Sequence, residues 1–446
     1  MIEVLRNRTC RHLFLAQALA LIGTGLATVA LSLLAFDIAG SDAGAVLGTA
    51  LAIKMAAYIG VAPIVGAFAD RLPRRAFLIS MDIVRGAVVL VLPFVDQVWQ
   101  IYLLIFLLQS ASAAFTPTFQ ATIPDVLPDE RDYTRALSLS RLAYDMESLT
   151  SPILAAALLA VISFHWLFAA TSIGFIASAL LVASTVLPQP KASSQRRGGI
   201  YTRTTRGVRI YLKTPRLRGL LAVTLAAAAA SAMVIVNTVV LVRDLLGLSQ
   251  SEMALTLAAY GGGSMLAAFA LPRLLERIDD RTIMLLAAAA SGLGLGALAL
   301  LTTIVPTTSL WGFVLGGWFV LGIAYSMTVT PGGRLLRRSA NAEDRPALFA
   351  AQFALSHACW LIAYPLSGYL GAGFGQVAAF AGMALIAVTG ALLGILLWPR
   401  HDPDVVPHQH PDLPADHPHV AGSHGGGEAA HSFMIDDLHS RWPDRG

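Results

Sequence analysis

Twelve long apolar stretches, separated by short charged or turn-forming segments, are the feature that most constrains this 446-residue chain. Each stretch has about twenty residues or more, enough to cross about 30 Å of hydrocarbon as a helix whose backbone satisfies its own hydrogen bonds. Because 56% of the residues are hydrophobic and only 13% are charged, we predict an all-α membrane protein. The expected spans are 13–36, 44–68, 76–95, 98–120, 136–161, 164–187, 219–242, 252–272, 282–304, 308–331, 346–371 and 374–398.

The positions of the positive charges predict how the chain is oriented. With both termini in the cytoplasm, 27 of the 31 Lys and Arg residues lie in cytoplasmic segments. The exceptions are Arg243, on the other side, and three residues within spans: Lys54, Arg85 and Arg141. The opposite orientation violates the positive-inside rule, so we expect a multi-pass protein of the bacterial inner membrane.

The hydropathy pattern divides the chain into four parts. Residues 1–187 and 219–399 each contain six spans and form two related halves. Between them, residues 188–218 carry nine Lys or Arg and no acidic residue, which is typical of a cytoplasmic linker attracted to anionic lipid, although a partner-docking site is the alternative. Residues 400–446 form a tail rich in His, Pro and Gly, which predicts disorder.

Two sequence motifs recur between the halves. The loop after the second span reads GAFADRLPRR from Gly66 to Arg75, and PRLLERIDDR follows the eighth span. A Thr-Pro pair also ends the fourth span in FTPTF and the tenth in VTPGG, where proline ends or kinks a helix. Two halves with matching breaks predict a mid-membrane cavity that opens alternately to either side.

These motifs resemble the major facilitator superfamily, in particular the branch that contains enterobactin and macrolide exporters. The residues of the first loop that carry the resemblance are Gly66, Asp70, Arg71, Arg74 and Arg75. In that family the loop aspartate pairs with the other half and stabilises one access state, so the resemblance implies a gating role for Asp70; a capping and topology role is the alternative. The fifth span lacks the glycine signature of the family's antiporters.

Ionisable residues inside the spans are candidates for coupling, because an unpaired charge at the bilayer centre costs about 2.5–3.5 kcal/mol on insertion scales. Asp82 and Arg85 lie three residues apart and are expected to form a structural pair. A buried carboxylate without a local partner binds a proton more readily than an exposed one, and an ion pair with Lys54 is the alternative role for Glu147. The proton-coupling or substrate candidates are Asp145, Glu147, Lys54, His357 and Arg141.

The C-terminal tail contains eight of the eleven histidines, interspersed with aspartates. Imidazole suits nickel, cobalt, copper or zinc better than calcium or magnesium. The tail is similar to those of nickel-resistance exporters in the superfamily, and non-specific metal buffering or no metal role are the alternatives. The candidate metal ligands are His408, His410, His417, His419, His424, His431 and His439.

The sequence therefore predicts a secondary transporter that exports a small solute by alternating access with proton coupling. Nickel or cobalt is the preferred cargo, and an amphipathic drug or siderophore is the alternative, favoured by the mostly apolar cavity helices. No Walker A motif is present, so direct use of ATP is not expected. We expect a monomer whose partners are the lipid bilayer, protons and the small-molecule or metal-ion substrate. Enzymatic activity, nucleic-acid binding and a required cofactor are not expected; a divalent transition metal ion on the tail is the one candidate cofactor.

Overall fold

Helices make up almost all of the computed structural model, which describes residues 2–68, 73–127, 129–187, 200–341, 344–402, 405–409, 428–435, 438–439 and 442. The helices of the N-terminal half are α1 (Arg8–Ala39), α2 (Ala43–Phe68), α3 (Arg74–Val91), α4 (Val98–Val126), α5 (Glu130–Leu159) and α6 (His165–Ala183). Those that follow are α7 (Ile200–Lys213), α8 (Pro215–Val239), α9 (Gln250–Leu274), α10 (Asp280–Ile304), α11 (Thr307–Val329), α12 (Gly332–Arg338), α13 (Arg345–Phe374) and α14 (Gln376–Leu397).

Twelve of these helices are long, and each coincides with one of the twelve expected spans. Within the described residues, ten stretches are long and apolar enough to cross a membrane, and the first of them, 8–61, contains most of both α1 and α2. The remaining long helix, α5, carries Arg141, Asp145 and Glu147, which lower its mean hydropathy. The expectation of an all-helical membrane fold is confirmed.

The twelve long helices form two six-helix bundles. In the first, α1 packs on α5 and α6, and α4 packs on α2 and α3; in the second, α8, α10 and α14 pack together beside α9 and α11. Glycines permit the closest approaches: the Cα atoms of Gly263 and Gly322 lie against the backbone carbonyls of Phe319 and Tyr260, leaving no space for a Cβ atom. Small residues therefore allow α9 and α11 to pack backbone to backbone.

The two bundles meet along α2 with α13 and along α5 with α9. We call the end of the molecule that carries α7 and α12 the linker face, and the opposite end the distal face. At the distal face the turn at Gly40–Asp42 contacts the π-helical turn Val240–Leu245, and the Arg243 guanidinium lies 5.7 Å from the Phe36 ring centroid. The contacts between the halves thus close the distal face.

Part of the linker is a helix that docks on the C-terminal half, and its attraction to anionic lipid stays a prediction. Residues 200–213 form α7, which packs on α13 of the C-terminal half. Arg206 and Asp344 form a two-pronged ion pair, with 2.6 Å between Nε and Oδ1 and 3.1 Å between Nη2 and Oδ2; the buried Tyr211 donates to Gln352. The second half therefore begins structurally at α7 rather than at residue 219, because one face of this basic helix is apolar and finds a partner.

The described part of the tail corrects the expectation of disorder. Strands β1 (Val405–Gln409) and β2 (Glu428–Ser432) pair in antiparallel register. Beyond β2, the Phe433, Ile435 and Trp442 side chains join the hydrophobic core of the second bundle. Apolar residues interspersed in the polar tail supply this packing, which composition alone does not reveal.

Two arginines hold the start of the tail at the linker face. Asp402 forms ion pairs with the buried Arg216 at 3.5 Å and with Arg338 at 3.6 Å. The Arg216 guanidinium also lies 5.1 Å from the Trp442 ring centroid. Because Arg216 is at the start of α8, the tail is anchored to the C-terminal half.

Candidate transport site

Two partly buried charged side chains, Glu147 and Lys54, lie in the interior of the N-terminal half, where three helices meet. Glu147 on α5 places its carboxylate against the Cα atom of Gly25 on α1, beside the Ser151 hydroxyl. Its charge interacts with the ammonium of Lys54 on α2. Gly25 is required here because a methyl group would occupy the space taken by these oxygens. The structure thus brings together two of the residues that the sequence singled out.

The second half contributes an aromatic cluster to the same region. His357 on α13 stacks on Tyr58 of α2, with ring centroids 5.6 Å apart, and its ring lies at a tilt against that of Phe353, with centroids 3.9 Å apart. Its Nδ1 lies 2.7 Å from the Phe353 carbonyl oxygen, and its ring interacts electrostatically with Lys54. His357 therefore lies at the contact between the two halves, with its Nδ1 engaged by the backbone of its own helix.

A small polar pocket adjoins Lys54. Its polar lining consists of Lys54, the Gln109 amide and three hydroxyls, from Thr24, Thr28 and Ser112, and its other walls are apolar. Gln109 is 8% exposed, and among the described residues its amide has no hydrogen-bond partner. The sequence shows Gln109 only as one polar residue in an apolar helix, because its position in the same pocket as Lys54 depends on how α2 and α4 pack.

Three tyrosines lie close together in the second half. The Tyr260 and Tyr325 rings lie 5.8 Å apart, and Tyr364 is close enough to interact with both phenols. Ser231 lies between Tyr260 and Tyr364 and accepts a hydrogen bond from Trp360 Nε1 at 3.4 Å. Sequence reasoning missed this set, because uncharged aromatic residues in an apolar helix look like lipid-facing or core residues.

The expected structural pair is present. Arg85 and Asp82 form a direct ion pair within α3, and Ser178 of α6 donates to Asp82 at 2.8 Å. The guanidinium is also sandwiched between two rings, 4.2 Å from the Phe115 centroid and 4.5 Å from that of Phe175. Both charged groups contact neighbours within the first bundle, although the buried Arg85 Nε has no hydrogen-bond partner among the described residues, and these contacts suit a packing role.

Other candidates are described only in part. Asp70 and Arg71 lie outside the described residues, as do the side chains of Arg141 and Asp145, and Gly66 lies near the end of α2. Arg74 is buried at the start of α3, and Arg75 donates to the Ala183 carbonyl of α6. The gating role of this loop stays a prediction.

The candidate metal ligands of the tail are also described only in part. His439 is buried with its ring 4.6 Å from that of Phe433, so it packs in the core. The other candidate ligands have side chains outside the described residues: His408, His410, His417, His419, His424 and His431. Over the described part of the chain, no cluster of three His, Cys, Asp or Glu side chains has the arrangement of a metal site.

Two six-helix bundles that meet along α2 with α13 and along α5 with α9 have the architecture of a membrane transporter. The chain belongs to the major facilitator superfamily, whose family model matches residues 13–307 and 219–420. Members of this family are transporters and not enzymes, and the protein is accordingly a multi-pass transporter of the plasma membrane. Among curated proteins, macrolide efflux protein A of Streptococcus pyogenes is 25% identical over 153 residues. That alignment spans 32% of this chain and 38% of the relative.

Solved structures show the same fold. A mutant of the nucleoside transporter NupG superposes with a TM-score of 0.69 at 13% identity, covering 88% of this chain and 100% of that one. A bacterial homologue of the human lysosomal transporter Spinster, in an inward-facing and unoccupied conformation, gives 0.66 at 14% identity, covering 87% and 94%. At these identities the similarity establishes the fold alone.

Proposed function

We propose that this protein exports an amphipathic organic solute in exchange for protons, with Glu147 as the proton-binding carboxylate. The observation that carries the proposal is the position of the Glu147 carboxylate against Gly25, where Lys54 is the cation that interacts with it among the described residues. A buried carboxylate that faces a single cation gains or loses a proton at modest cost, which is what coupling requires.

The membrane orientation follows from charge. The linker face carries the basic residues of α7 and α12, so the positive-inside rule assigns it to the cytoplasm. The closed distal face is then extracellular, and we infer that this arrangement corresponds to an inward-facing state of the cycle. In this state a solute from the cytoplasm or inner leaflet reaches the site between the bundles.

The chemistry of the site supports an organic cargo. Tyr260, Tyr325 and Tyr364 offer flat apolar rings and phenol groups, which bind amphipathic molecules through stacking and single hydrogen bonds. The macrolide efflux relative supports the same class of cargo. A nickel or cobalt cargo remains a prediction from the histidine-rich tail.

The test is transport in proteoliposomes that contain the intact protein, with erythromycin and Ni²⁺ as parallel probes. We expect erythromycin movement driven by a pH gradient, accompanied by proton movement in the opposite direction. In Glu147→Gln the amide mimics a protonated carboxyl and cannot ionise, so gradient-driven transport should fall at least tenfold while exchange without a gradient persists. Asp96→Asn, in an exposed loop, is the matched control.

Three outcomes decide between the alternatives. Full gradient-driven transport in Glu147→Gln would remove Glu147 from the coupling mechanism. Movement of Ni²⁺ without erythromycin would establish a metal cargo. Erythromycin movement without proton movement would show that the carrier is not proton-coupled.

A further inference from the structure

The hydroxyl protons of the polar pocket beside Lys54 are already engaged in hydrogen bonds to backbone carbonyls. Thr24, Thr28 and Ser112 donate to the carbonyl four residues earlier, at 2.8, 2.9 and 3.0 Å respectively. Their oxygen lone pairs are therefore the groups left to interact with the pocket. Together with the Gln109 amide oxygen, they make a set of hydrogen-bond acceptors that suits an ammonium group.

The size of the pocket agrees with this chemistry. Its free volume of about 30 Å³ accommodates an ammonium group and a water molecule, and it is far smaller than the site of an organic solute. Lys54 itself lines the pocket. Across the described residues it makes no direct hydrogen bond or ion pair, although its charge interacts with that of Glu147.

We propose that Lys54 is a tethered cation with two positions, moving to Glu147 when the carboxylate is ionised and lodging in the Gln109 pocket when the carboxylate is protonated. The inference rests on the proposed function, in which Glu147 binds the coupling proton. Proton binding thereby changes the position of a charge between α1, α2, α4 and α5, the helices that must shift when the cavity changes its access. Gln109 is a positioning residue in this scheme, since it acts through Lys54.

Few other ionisable groups face this pair. α13 contributes His357, which stacks on Tyr58 of α2. Next to the pair, the described parts of α1 and α4 contribute only hydroxyls and the Gln109 amide, and α9 carries only Tyr260 between its charged ends. The Arg141 and Asp145 side chains of α5 lie outside the described residues.

The test is an infrared pH titration of the intact protein in lipid without substrate. The carbonyl band of protonated Glu147 is assigned by its loss in Glu147→Gln, and its midpoint is then measured in Gln109 variants. Gln109→Leu removes an acceptor for Lys54, keeps the ammonium near Glu147, and should lower the midpoint by about one pH unit. Gln109→Glu places a carboxylate in the pocket, holds Lys54 away from Glu147, and should raise the midpoint.

Opposite shifts in the two variants would support the two positions of Lys54, because general loosening of the bundle cannot move the midpoint both ways. Ser110→Ala, on the same helix but outside the pocket lining, should leave the midpoint unchanged. Shifts in the same direction, or no shift in either variant, would overturn the inference. If the two Gln109 variants shift the midpoint in opposite directions but the protein does not transport erythromycin, the inference about Lys54 stands and only the proposed cargo is rejected.

Discussion

Replacing Gly48 by alanine should open the distal face. Gly48 on α2 lies against the backbone of α13, and a Cβ atom there would be 2.5 Å from the Tyr364 carbonyl oxygen, whereas ordinary contact begins at about 3.4 Å. The neighbour is backbone, so it cannot move aside by changing a rotamer. The two helices must therefore separate by about 0.9 Å or lose their alignment.

The free-energy cost of this overpacking applies to the distal-closed state only. Overpacking a tight interface costs about 1–3 kcal/mol, and the clash disappears once α2 and α13 separate at the distal face. The equilibrium between distal-closed and distal-open states should therefore shift by about 5–150-fold toward the open state. The fold of each bundle should be unaffected, because the contact is between the halves.

Distance measurements across the distal face test this. Spin labels at Ser41→Cys and Asp244→Cys, both exposed distal positions, would report the separation in a background that lacks Cys10 and Cys359. Pulsed electron paramagnetic resonance should show a longer-distance population that grows in Gly48→Ala.

The matched control for this experiment is on the same helix. Gly60 has open space where a Cβ would be, so Gly60→Ala should leave the distances unchanged. Identical distance distributions for the two alanine variants would refute the argument that this glycine contact closes the distal face.

Two further predictions concern the linker face. Asp279 caps α10 by accepting hydrogen bonds from the backbone N–H and the hydroxyl of Thr282. Partial burial alone would raise the pKa of Asp279, but these hydrogen bonds hold the pKa below its usual value. The cap should therefore contribute about 1 kcal/mol to the free energy of unfolding at neutral pH, and part of this contribution should be lost as the pH falls through the lowered pKa. Thermal unfolding of Asp279→Ala and Asp279→Asn at several pH values tests this prediction. Equal stability of wild type and Asp279→Ala at neutral pH would contradict it. Trp442→Ala should remove the cation–π contact with Arg216 and increase proteolysis of the end of the tail at least tenfold, although the Asp402 ion pair still holds the start of the tail. The exposed-site variant Val405→Ala should behave as wild type, and equal proteolysis of both would show that Trp442 does not hold the tail.

The helices were predictable because their signal is local. An apolar run long enough to cross a bilayer is visible in any single sequence, and even α5, with its internal charges, kept enough apolar residues to be recognised. The docking of α7 was not visible, since Arg206 and Tyr211 find their partners Asp344 and Gln352 more than a hundred residues away. Without those partners the same helix looks like a free basic linker.

The candidate site was predictable in its charges but not in its uncharged parts. A carboxylate inside an apolar helix stands out, which is why Glu147 and Lys54 could be singled out and even considered as a pair. Tyr260 and Gln109 carry no such signal, because tyrosine and glutamine are tolerated at many positions in membrane helices. Their significance arises only from the packing of helices distant in sequence.

The docking of α7 on α13 also redefines what connects the two halves. Arg206 and Tyr211 bind α7 to the C-terminal half, so this helix travels with that half when the bundles move. The only covalent connection that must accommodate the motion is then the segment between Leu187 and Ile200, which spans at most about 45 Å when fully extended. The length of this segment, independent of its sequence, sets an upper limit on how far the linker face can open.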